Sequence, residues 1–104
     1  VPTGSDFEDV VSMSLAAAHK ARQVLEDTAK ILAAELLCAF QALSLRGPDR
    51  AGRGTRVAYE VLKAEGIEPL EADRPTSRDL ERIVEIALKG KLLRAIEAEI
   101  GELW

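Results

Sequence analysis

The chain has 104 residues, 47% of them hydrophobic and 31% charged, with 14 bases against 18 acids for a net charge of −4. That is the composition of one small globular domain rather than of a disordered segment, and its acidic balance argues against nucleic acid or an anionic membrane as partner. A single cysteine (Cys38) and a single histidine (His19) exclude an internal disulfide and leave no ligand set for a metal, while the absence of a secretory signal or a membrane-length uncharged run gives a cytoplasmic expectation.

Residues 1–6 read as a leading loop, because Pro2 and Gly4 resist helix and Ser5 or Asp6 can cap one. Three acids, Asp6, Glu8 and Asp9, crowd the start of the pattern that follows, where the helix macrodipole stabilises anions. Residues 7–46 predict one long helix: Val11, Leu15, Ala18, Leu25, Ala29, Leu32, Leu36 and Leu43 recur at spacings of three and four. Its first half keeps a polar stripe of His19, Gln23, Glu26 and Lys30. Its second half, ILAAELLCAFQAL, is apolar almost all round, and a helix apolar on every side is buried on every side. At about 1.5 Å per residue such a helix exceeds roughly 50 Å, too long for the remaining residues to enclose. It calls for neighbours from other polypeptide, and its many alanines would let them approach closely. The first residue, Val1, and the internal position of the one methionine, Met13, give the same expectation of a processed or partial product.

Gly47 and Pro48 should stop the long helix. Residues 47–54 form a loop within the arginine-rich stretch RGPDRAGRGTR, whose glycines and lack of aromatics favour a solvated linker over an anion site. Residues 55–104 predict three short helices and a tail. The first runs from Thr55 to Glu65 with Val57, Ala58, Val61 and Leu62 on its apolar face and Tyr59 off it. A connector with Pro69 and Pro75 leads to Thr76, whose spacing to Asp79 fits a capping box for the second. The last runs from Lys91 to Ile100. The expected fold is all-α, one long central helix followed by three shorter ones, within a larger multi-subunit helical bundle.

Generic catalytic constellations are absent: no nucleophile beside a base, no phosphate loop, no metal signature. His19 reads as surface and Cys38 as core, and Glu35, inside the apolar half, needs a partner from another helix.

The stretch TGSDFEDVVSM (residues 3–13), with the long helix after it, resembles the histidine and aromatic amino acid ammonia-lyases. In their C-terminal part a loop of the type Thr-x-x-x-Gln-Glu-Asp-x-Val-Ser-Met enters a long central helix. GTRVAYEVLKAE and LEADRPTSRDLERIVEIALKGKLL, residues 54–65 and 70–93, are similar to the family's closing segment. The resemblance covers nearly the whole chain but only the last part of such an enzyme. It implies elimination of ammonia from an amino acid by a methylidene-imidazolone electrophile made from Ala-Ser-Gly. That tripeptide does not occur here, so no cofactor is expected within this chain; the prosthetic group belongs to the N-terminal part or a companion subunit. The family's tetramers, with active sites lined by several subunits, imply the same partners.

By the resemblance, Glu8 is the catalytic candidate, placed where histidine lyases have a glutamate facing the substrate side chain and phenylalanine and tyrosine lyases an amide. A carboxylate accepts an imidazole N–H as a charge-assisted hydrogen bond, which would orient the ring or assist proton movement. Phe7, where Gln is common, is the second substrate-binding candidate. Val10 stands where histidine lyases usually have histidine, and Val10-Val11 looks more like the tyrosine-active branch or the aminomutases. The expectation is therefore a histidine ammonia-lyase fragment, inactive by itself. Its alternatives are a tyrosine or phenylalanine lyase or aminomutase fragment, a non-catalytic helical association module, and, against the charge, a nucleic-acid binder using the arginines of 46–56.

Overall fold

The computed structural model describes the backbone of residues 6–103 and the side chains of residues 13–103. Among the described residues all regular structure is helical: α1 (Asp6–Arg46), a 3-10 turn (Pro48–Arg50), α2 (Arg53–Ala64), α3 (Ser77–Leu88) and α4 (Lys91–Ile100).

No glycine or proline interrupts the 41 residues of α1, and alanine and leucine, the strongest helix formers, dominate its sequence. Gly47, at φ 99, carries the chain out of the helix and donates its N–H to Leu43 O at 2.9 Å. Pro48 then prevents continuation. The molecule is a rod with a knob at one end: it measures 62 × 36 × 18 Å, and its radius of gyration is 19.1 Å. A compact domain of this length would have about 13 Å.

The knob forms on the second half of α1. There α3 lies along α1, α2 packs on α4, and α3 meets α4. Ala33, Phe40, Tyr59, Leu62, Ile67, Ile83 and Ile86 make one contiguous core. Gly54 lets α4 come close to α2, since a Cβ there would stand 3.2 Å from Ile100 Cδ1. Elsewhere α1 is bare. Residues 13–28 are exposed throughout, and Leu15, Val24, Leu25, Ile31, Leu32 and Leu45 remain more than half exposed. From Met13 to Arg46 the helix is, by length and composition only, long and apolar enough to cross a membrane. A helix packed inside a larger protein assembly meets the same description.

Local chemistry moves several boundaries from where sequence places them. Asp6 is already helical, and α2 begins at Arg53, two residues inside the expected loop. The rest of that arginine-rich stretch is not a plain linker: Pro48 opens a 3-10 turn, and Arg56 reaches back to Asp49 O and Ala51 O at 3.1 and 3.3 Å. The Thr76 capping box does not form, for Thr76 makes no side-chain cap bond. Asp79 is taken instead by Arg74 at 2.6 Å, and Arg74 also donates to Glu68 O at 3.0 Å. An ion pair that folds the connector has displaced the cap.

Three further contacts fix the knob. Gln41 on α1 uses both halves of its amide on Leu70, donating from Nε2 to the carbonyl at 3.1 Å and accepting the N–H at 2.6 Å. Glu65, at the end of α2, bridges Arg82 of α3 and Lys91 of α4. Gly90, at φ 74, provides the left-handed residue that turns α3 directly into α4.

Candidate functional site

The two residues singled out by sequence, Glu8 and Phe7, have their backbone in the opening turns of α1. Their side chains lie outside the described residues. Position along the helix is nonetheless informative. Ala29 is the first buried residue of α1 among those described, and Glu8 precedes it by 21 positions, about 30 Å at the α-helical rise. The candidate acid therefore stands at the end of α1 remote from every other helix of this chain.

An apolar groove of about 310 Å³ lies between the second half of α1 and α2. Leu36, Phe40, Leu43, Tyr59 and Leu62 line it. Tyr59, which periodicity places off the apolar face of α2, is in fact buried at 6% exposure. Its ring stacks on Phe40 with centroids 4.6 Å apart and planes at 18°. Its hydroxyl lies 3.1 Å from Ser44 Oγ, which itself donates to Phe40 O at 2.8 Å. The Tyr59 hydroxyl is thus satisfied within the protein, which marks Tyr59 as a packing residue. Glu8 is at the opposite end of α1, so the groove and the candidate acid of one chain do not lie together.

The remaining candidates separate in the same way. His19 is exposed, as its stripe predicts. Cys38, expected in the core, is exposed, because it sits on the side of α1 that α2 and α3 leave uncovered. Glu35 is exposed and makes no hydrogen bond or ion pair among the described residues. No cluster of metal-ligating side chains occurs among them either. Glu85 is held below the usual carboxylate range, first by Lys89 and then by Arg82. It is a solvated surface carboxylate with two cations beside it, not a poised acid. Sequence reasoning missed the Phe40–Tyr59–Ser44 cluster, because it joins two helices and no spacing within either helix signals it.

Comparison with known proteins supplies what the geometry of this chain lacks. Residues 1–64 match the family model described as aromatic amino acid lyase. Over 103 residues, 99% of the chain, it is 48% identical to the histidine ammonia-lyase of Gloeobacter violaceus. It is 44% identical, over the same share, to the histidine ammonia-lyases of Natranaerobius thermophilus and Symbiobacterium thermophilum. In each case the match covers 20% of the relative, so the chain spans about a fifth of the length of the curated relatives it matches. No solved structure matches.

Proposed function

The chain belongs to the aromatic amino acid lyase family, and we propose that it is the helical closing segment of a histidine ammonia-lyase, bringing Glu8 to a substrate site completed by other polypeptide. The observation that carries this reading is the 48% identity to a histidine ammonia-lyase along 99% of the chain. Its architecture is in keeping: one end of α1 is anchored by a folded knob, and the other projects about 30 Å beyond it. Such a rod is suited to entering a shared bundle of helices and a multi-subunit assembly.

The family's electrophile is a methylidene-imidazolone built from Ala-Ser-Gly, and no such tripeptide occurs in these 104 residues. This chain's residues therefore do not form the group, and no step through it is assigned to them. What the chain offers is the Glu8 carboxylate, an acceptor for the substrate imidazole N–H, with its sequence neighbour Phe7 as the second substrate-binding candidate. Accepting that proton in a charge-assisted bond orients the ring and favours histidine over substrates that carry no N–H there. Val10-Val11 supports a second reading, a tyrosine- or phenylalanine-directed lyase or aminomutase.

The test is Glu8→Gln in the assembled enzyme. A charge-assisted hydrogen bond contributes about 1.5–3 kcal/mol, so histidine kcat/KM should fall about tenfold to a hundredfold, with relative gain on phenylalanine or tyrosine. Unchanged turnover and preference would leave Glu8 as a helix cap and the chain as an association module.

A further inference from the structure

We draw no further inference here: the strongest candidate, the apolar groove between the second half of α1 and α2 with Arg46 and Thr55 among its lining residues, is an unpartnered apolar face and nothing in the structure shows what covers it.

Discussion

Tyr59 joins two elements of the knob. It offers a ring to Phe40 and a hydroxyl to Ser44, tying α2 to the last turns of α1. The two contributions separate by substitution. Tyr59→Phe removes one hydroxyl contact, and Ser44 keeps its bond to Phe40 O. The expected cost is about 0.5–1.5 kcal/mol. Tyr59→Ala removes the ring as well and opens a cavity beside the existing groove, at about 3–5 kcal/mol. Urea unfolding followed by circular dichroism measures both; equal losses would mean that the stack contributes nothing. At this scale sequence and structure part company for a physical reason. Periodicity ranks a residue by its own helix, whereas Tyr59 is buried by a ring that arrives from another helix, and Cys38 is left bare because none arrives.

Among the elements, the end of α2 shows how a short segment encodes its own stop. Gly66 takes φ 94, and Ile67 donates its N–H to Leu62 O at 3.1 Å. Leu62 and Ile67 are both buried in the same core, at 2% and 1% exposure, the apolar contact that accompanies this helix ending. Gly66→Ala keeps the contact but forces an L side chain into the left-handed region. The expected loss is about 1–2 kcal/mol, visible as a lower Tm. Glycine positions of this kind were legible in the sequence, and so were the approximate helix positions. The Thr76 cap was not, because spacing cannot show that Arg74 reaches Asp79 first.

The surface of α3 adds a pH dependence with a defined sign. Lys89 and then Arg82 hold the Glu85 carboxyl below the usual carboxylate range in the folded protein. A depressed carboxylate stabilises the fold above its unfolded pKa, and that contribution is lost as pH falls through the folded value. Glu85→Gln should therefore lower Tm slightly at neutral pH, and the difference should shrink as pH falls through the folded value. The effect stays small because the group is solvated. A Tm difference that persists at low pH would assign the loss to packing instead.

For the whole molecule, the uneven cover of α1 decides where stability resides. Residues 29–43 belong to the half that carries the core, with Ala33 and Phe40 at 1% and 3% exposure, whereas residues 13–28 touch no other helix closely enough to be buried. A helical segment without tertiary cover is held by propensity alone, and lengths near 15 residues are then marginal in water. Amide exchange in the isolated chain should accordingly fall into two classes along one continuous helix, fast over residues 13–28 and slow over 29–43. In the assembled enzyme the slow class should extend toward the end that carries Glu8. Uniform protection of α1 in the isolated chain would show that its bare half needs no partner. That result would also remove the physical reason for a composite site, since Glu8 could then be presented by a rod stable without company. Two classes that merge on assembly would instead tie the positioning of Glu8 to the burial of α1, linking the acid's function to a core that this chain only begins.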